Sequence, residues 1–328
     1  MKNFLSPDKI YSSVVNGKIS KAIAAEQLIS LIEGSNNPTT RAESIKISEK
    51  LKIRDQKIFK ILENSLLSDE SPLVRKSAAN FIGQFFFKKG LNTLIWVVQH
   101  DKSPLVLKVI SDLNSSLNKA RFESLSKKTN AFLTEIALSV GIVQNEAKFI
   151  LDLEAIFAQN ETDYELELKT YQFYKKLKDI KLGESWLTIR NKHIESLSFN
   201  YYNWKYLKEI PSMFDSISKL QDSMVYLNFL GKLALKSNII LKLPNSLALL
   251  TNLKKLNLSR NNINVFPKSI FSLSYLKYLD ISHNKISNIP VEIKNLTSLD
   301  ILRINHNQIR KIPNYLREFL LTLQDFKI

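Results

Sequence analysis

The sequence predicts an α/β solenoid in two parts, an array of paired helices followed by a repeat array that carries short strands. Three observations predict it. Stretches starting at Leu230, Leu253, Leu276 and Leu299 are spaced by 23 residues, each with apolar residues at its first, fourth and sixth places. Each stretch then has an Asn (Asn238, Asn261, Asn284, Asn307) and an apolar-Pro pair (Leu243-Pro244, Phe266-Pro267, Ile289-Pro290, Ile312-Pro313). Nearer the start, Asn37-Pro38, Ser71-Pro72 and Ser103-Pro104 recur with prolines 34 and 32 residues apart. A fixed period with a fixed internal pattern marks units that bury their apolar faces on their neighbours.

Residues 1–120 read as short amphipathic helices. Ser6-Pro7-Asp8 opens one, with Ser6 as cap and Pro at the first turn, and Asn16-Gly17 stops it. Ser20 opens the next, which Gly34 ends. Each of the three Pro-bearing motifs then starts a helix, with apolar residues at turn spacing such as Val74, Ala78, Phe81, Ile82 and Phe85. Asp69 and Asp101 lie six residues before Arg75 and Leu107. This Asp…Pro-x-Val-Arg-x-x-Ala pattern resembles HEAT repeats over about Ser20 to Leu117. The resemblance implies that the Asp and Arg pair between neighbouring units. Asp69 and Arg75 form the one complete set, since Leu107 replaces the Arg and Ser35 the Asp. Both read as structural. A further helix pair is expected from Lys128 to Phe157.

Residues 121–182 form a helical junction. Glu146 to Ala158 is expected as a helix with Phe149, Ile150, Leu153 and Phe157 on one face. Asn160 to Lys181 is expected as another, acidic at its start and basic at its end, which suits the helix dipole. Its carboxylates are strung along one helix with no His nearby, so they read as a solvated face.

The period changes at Gly183, where residues 183–328 begin the strand-bearing domain. Trp186 to Ile189 and Ile194 to Phe199 flank Arg190-Asn191-Lys192-His193 and read as a β-hairpin that caps the sheet. Ile210-Pro211, then Phe214, Ile217, Leu220, Met224 and Leu227, suggest an enlarged helical return. In the regular units the first, fourth and sixth residues point into the core from a short strand and alternate residues point out. The Asn side chain serves backbone groups that the turn leaves unpaired, forming a structural ladder. Past Pro313, Leu323, Phe326 and Ile328 repeat the pattern shifted by one residue, so a last strand is expected there with Asp325 and Lys327 outward.

These units resemble the Ras-group, intracellular leucine-rich repeats, with Leu276 to Leu296 matching at every marked position. The resemblance covers about Ile194 to Ile328. It implies a non-enzymatic scaffold in the cytoplasm, with partners among small GTPases, phosphatases or kinases. The outward positions make a face of Lys232, Ala234 and Lys236, then Lys255, Asn257 and Ser259, then Tyr278, Asp280 and Ser282, then Ile301, Arg303 and Asn305. Lys232, Lys236, Lys255, Tyr278, Asp280, Ile301 and Arg303 are the candidate protein-binding residues. Aromatic and Arg side chains are the usual anchors of such faces. Any solenoid also needs a polar face here. Ser237, Arg260, His283 and His306 form their own column before the ladder Asn, close enough for the two imidazoles to touch. A metal would need more ligands than these.

Composition bounds the function. The 328 residues carry a net charge of +16, of which residues 183–328 contribute 20 basic against 10 acidic side chains. A basic surface suits an acidic protein, a polyanion such as nucleic acid, or anionic lipid, and equally serves solubility. With no cysteine there is no disulfide, thiolate site or cysteine nucleophile, which leans towards a reducing compartment. The start, MKNFLSPDKIYSS, lacks a signal-peptide apolar run, and no transmembrane run is expected. No P-loop, Gly-x-Ser-x-Gly or His-Glu-x-x-His pattern is present. The expectation is therefore a monomeric binder of an acidic protein, with no catalytic, cofactor or metal residues. A polyanion-binding repeat protein is the alternative.

Overall fold

The structure is a computed structural model, and it describes residues 5–116, 123–158, 187–198, 224–237 and 240–328. The expected helix from Asn160 to Lys181, the return containing Ile210-Pro211, and Asn238 lie outside these residues. The chain divides into two compact units, and within the described residues the division falls in one helix, between Glu135 and Ile136.

The first unit contains α1 (Pro7–Val15), α2 (Lys21–Gly34), α3 (Pro38–Lys50), α4 (Gln56–Ser68), α5 (Pro72–Phe85), α6 (Phe87–His100), α7 (Pro104–Ser116) and the start of α8 (Glu123–Val140). Helices α3, α5 and α7 pack side by side as one layer, and α2, α4 and α6 pack against them as a second. Ile45, Ile58, Leu62, Phe81, Ile82 and Leu94 are fully buried between the layers. The helix starts follow from local chemistry. Ser20 Oγ accepts from Ile23 N at 3.3 Å, Asn37 Oδ1 from Thr39 N at 2.8 Å, and Asp55 Oδ1 from Ile58 N at 2.9 Å. Ser6 departs from its expected role. It holds the extended cap backbone, but its hydroxyl makes no capping bond, and Pro7 removes one of the donors that would need one.

Consecutive helix pairs are tied by arginine forks. Arg41 Nε and Nη2 both donate to the Asp69 carboxylate at 2.8 Å, and Arg75 Nε and Nη2 donate to that of Asp101 at 2.8 and 3.2 Å. Each fork joins one unit to the next, and its remaining donors reach backbone carbonyls at Ser35 and at Asp69 and Glu70. The charged side chains of Asp69 and Arg75 therefore pair with different partners, and Arg75 meets Asp69 only at its backbone carbonyl. Geometry of this kind, bidentate and partly buried, fixes register more than it adds net stability.

Among its described residues the second unit contains the end of α8, helix α9 (Gln144–Ala158) and a seven-stranded sheet. Its strands are β1 (Leu187–Arg190), β2 (His193–Ser198), β3 (Lys232–Ala234), β4 (Lys255–Asn257), β5 (Tyr278–Asp280), β6 (Ile301–Arg303) and β7 (Asp325–Lys327), in chain order across the sheet. Strands β1 and β2 are antiparallel, as the hairpin pattern predicts, and every later pair is parallel. Asn191 and Lys192 take φ of 51° and 65°, the left-handed pair that a two-residue hairpin turn requires. The 23-residue period sets the register, so Leu233, Leu256, Leu279 and Leu302 lie beside one another, all buried. After each Pro the chain returns through a single 3₁₀ turn (Asn245–Leu249, Lys268–Ser272, Val291–Asn295, Asn314–Leu316) that buries one more Leu or Ile. The last strand is where the shifted pattern predicts it, with Ile301 beside Asp325 and Arg303 beside Lys327.

Helix α9 also serves this sheet. Val143 N donates to Lys192 O at 2.8 Å, and the buried Glu146 carboxylate accepts from Ile194 N at 2.8 Å and meets His193 Nδ1 at 3.2 Å. His193 in turn stacks on Phe229 with ring centroids 3.7 Å apart. The helix buries Phe149, Leu151 and Leu153 and also a Lys148–Asp152 ion pair at 2.6 Å. Among the described residues no helix is long and apolar enough to cross a membrane.

Candidate binding face of the strand array

The face begins with the ladder beneath it. Asn284 is 7% exposed. Its Nδ2 donates to Leu258 O and Ile281 O at 3.0 Å, and its Oδ1 accepts from Ile263 N at 3.0 Å. Asn261 makes the same bonds to Leu235 O, Leu258 O and Ile240 N, and Asn307 to Ile281 O, Ile304 O and Ile286 N. Each amide thus bonds its own strand end and two backbone groups of the preceding unit, groups that have no sheet partner once the chain turns. The residue before each Asn pays the conformational cost. Ser237, Arg260, His283 and His306 all have φ between 53° and 59°, a region non-glycine residues rarely enter.

Parallel register lines the outward side chains into two rows. One runs Lys232, Lys255, Tyr278, Ile301, Asp325 and the other Ala234, Asn257, Asp280, Arg303, Lys327. Neighbours within a row are roughly 4.8 Å apart. Lys232, Lys255 and, just beyond its strand, Lys236 are exposed, while Tyr278, Ile301 and Arg303 are half-buried.

Asp280 behaves differently from its row. It is 7% exposed, with Oδ1 accepting from Ser282 N at 3.0 Å and from Ser282 Oγ at 2.6 Å, and Oδ2 from the Tyr278 hydroxyl at 3.3 Å. Ser282 is itself buried, and so is Ser259, which makes the same turn with Asn257. The period-2 alternation predicts all of these as outward. The local Asx turn folds them flat against the sheet instead. Asp280 is therefore a brace for Tyr278 and not an exposed contact. The signal that could have found it is the Asn/Asp-x-Ser spacing repeated in two units.

Tyr278 and Arg303 form the centre. The guanidinium carbon lies 5.6 Å from the ring centroid, within cation–π range. Burial, together with the Asp280 charge, raises the Tyr278 pKa, so the phenol stays a donor. Arg303 Nη2 lies 3.5 Å from Asp325 Oδ2, a loose pair, while its Nε is buried and makes no hydrogen bond. A buried donor without a partner is uncommon in folded proteins.

His283 and His306 do touch. Their rings stack at 4.1 Å and 17°. Burial, then the charges of His306, Arg260 and Lys236, lower the His283 pKa against the opposing pull of Asp280. Face-to-face rings do not converge on a common ligand. Among the described residues no three His, Cys, Asp or Glu side chains group as a metal site.

The family model described as leucine rich repeat matches residues 251–309. No curated protein matches the chain. Among solved structures, an internalin from Listeria monocytogenes is 28% identical over 32% of this chain and 30% of its own, with a TM-score of 0.29. A leucine-rich repeat protein from Leptospira interrogans is 26% identical over 47% of this chain and 45% of its own, with a TM-score of 0.34. The chain spans less than half of either protein. Residues 251–309 are leucine-rich repeats, and the parallel strands that flank them continue the same sheet.

Proposed function

We propose that this protein is a binding scaffold that captures an acidic protein on the outward face of its strand array, without catalysing a reaction. Leucine-rich repeats generally mediate protein–protein interaction. The observation that carries the partner's chemistry is Arg303, held against Tyr278 with its side chain 37% exposed. A carboxylate from the partner would meet the exposed part of that side chain in a charge-assisted hydrogen bond. Lys232, Lys236 and Lys255, exposed to one side, would steer the acidic partner in.

Finer parts of the reading rest on resemblance and composition. They are HEAT-like units in residues 1–120, a helical junction over 121–182, Ras-group-type units over 183–328, a regulatory partner such as a small GTPase, and a monomer at work in a cysteine-free, cytoplasmic setting. The test is capture from native extract on immobilised protein, with nuclease-treated and untreated arms. Protein capture that survives nuclease supports the scaffold. Capture that disappears with nuclease, and falls equally for charge reversal of Lys on any face, makes the protein a polyanion binder instead.

A further inference from the structure

We propose that the helical array carries a second and separate binding site, a trough that takes an extended basic peptide. The trough consists of two adjoining hollows of about 530 and 390 Å³ on consecutive helix pairs, and they meet at Ser68, Asp69 and Glu70. Its walls are fixed. The arginine forks spend Arg41 and Arg75 on Asp69 and Asp101, whose Oδ1 atoms also accept from Ser71 N and Ser103 N at 2.9 and 2.7 Å. Those four charges are neutralised within the wall.

The charges left over are what a ligand would meet. Glu33 lies in one hollow and Glu70 in both, and among the described residues neither carboxylate makes an ion pair. Against them, among the described residues that line the hollows, stands the unpaired Lys102. A trough whose free charge is acidic is set against the rest of a chain of net charge +16. It selects for a cationic occupant.

Trp96 supplies the platform. It is 46% exposed on α6. One face of the indole is covered by His100, stacked at 4.1 Å and 12°, and His100 is itself held by an Nδ1–H bond to Trp96 O at 2.7 Å. The indole lines the hollow together with Leu67, which is 42% exposed. A braced indole next to a free carboxylate suits a Lys or Arg side chain, which lays its stem on the ring and its charge over the face. Asn64 sits five residues before Asp69, as Trp96 does before Asp101, so the neighbouring hollow presents an amide at the equivalent place. An amide there can bond the main chain of an extended peptide through both its donor and its acceptor.

The experiment measures fluorescence anisotropy of the full chain with a labelled Arg-Ser repeat octapeptide, using a Glu-Ser octapeptide as control. The Arg peptide should bind and the Glu peptide should not. Glu70→Lys and Trp96→Ala should each weaken binding by about tenfold or more without lowering the melting temperature. Lys102→Glu should strengthen it severalfold. The peptide should shift the tryptophan emission of the wild type but not that of Trp96→Phe. Tyr278→Ala, in the other unit, should change nothing, which keeps this site independent of the strand-array face. Binding of neither peptide, equal binding of both, or indifference to Glu70→Lys and Trp96→Ala would each overturn the proposal.

Discussion

At the scale of single residues, Asn284 and His283 stand side by side in the chain with opposite burdens. Asn284 bonds three backbone groups, sharing Leu258 O with Asn261 and Ile281 O with Asn307, while its Oδ1 alone serves Ile263 N. Asn284→Ala should cost about 1–3 kcal/mol in denaturant unfolding, the loss for a buried group left unsatisfied. His283 carries a strained φ of 53° and a lowered pKa. Because the unfolded chain binds that proton more readily, its contribution is intact above a pH of about 6.5 and is lost as pH falls through that value. Glu146 works in the other direction. Burial raises its pKa, so stability declines as pH rises through its folded value. The two act with opposite sign, and a variant at His283 isolates its share. His283→Asn keeps a residue that tolerates left-handed backbone and should flatten the loss of melting temperature between about pH 7.5 and 5.5. An unchanged slope would remove His283 as its source. The ladder positions are legible in the sequence because the repeat copies them. Asp280 is not, because a local turn to Ser282 folds flat and buries a side chain that strand alternation assigns to the exposed face.

Among the elements, α9 and the close-packed glycines of α5 and α6 decide how the arrays hold together. The Glu146 carboxylate binds Ile194 N from 48 residues away. Glu146→Ala leaves that N–H buried and should destabilise the strand unit by about 1–3 kcal/mol, whereas Glu146→Gln keeps an acceptor and should cost less. Gly83 and Gly90 both sit where a Cβ would collide, at 2.1 Å from Leu113 Cδ1 and 2.2 Å from Ile82 Cγ2. The first neighbour is the end of a Leu side chain that can rotate away. The second is on a β-branched residue stiff at χ1. Gly90→Ala should therefore lower stability by about 1–2 kcal/mol in spite of better helix propensity, and Gly83→Ala by less. The Pro-opened helices and the hairpin are legible, since Pro at the first turn and Asn191-Lys192 act locally. The capping role of α9 is not, because nothing near Glu146 in the sequence refers to Ile194.

Across the whole molecule, two repeat arrays use one strategy with different chemistry. Each fixes its register with a polar group that reaches into a neighbouring unit: Arg to Asp of the next unit in the helical array, Asn to backbone of the preceding unit in the strand array. What is left on the outside differs in sign. The strand face presents Lys232, Lys236 and Lys255 to one side of Arg303, and the helical trough presents Glu33 and Glu70 against Lys102. The period makes the repeats readable, while the sign of each surface depends on which charges the interior pairing consumes, and that requires the fold. The most direct measurement is the affinity of the nuclease-resistant protein partner for wild type and for variants of the strand face, each with an unchanged melting temperature. Tyr278→Ala and Arg303→Glu should each cost about 2 kcal/mol or more, roughly thirtyfold, and Lys232→Glu should weaken binding more at low salt than at high salt. Wild-type affinity in both Tyr278→Ala and Arg303→Glu would contradict the account.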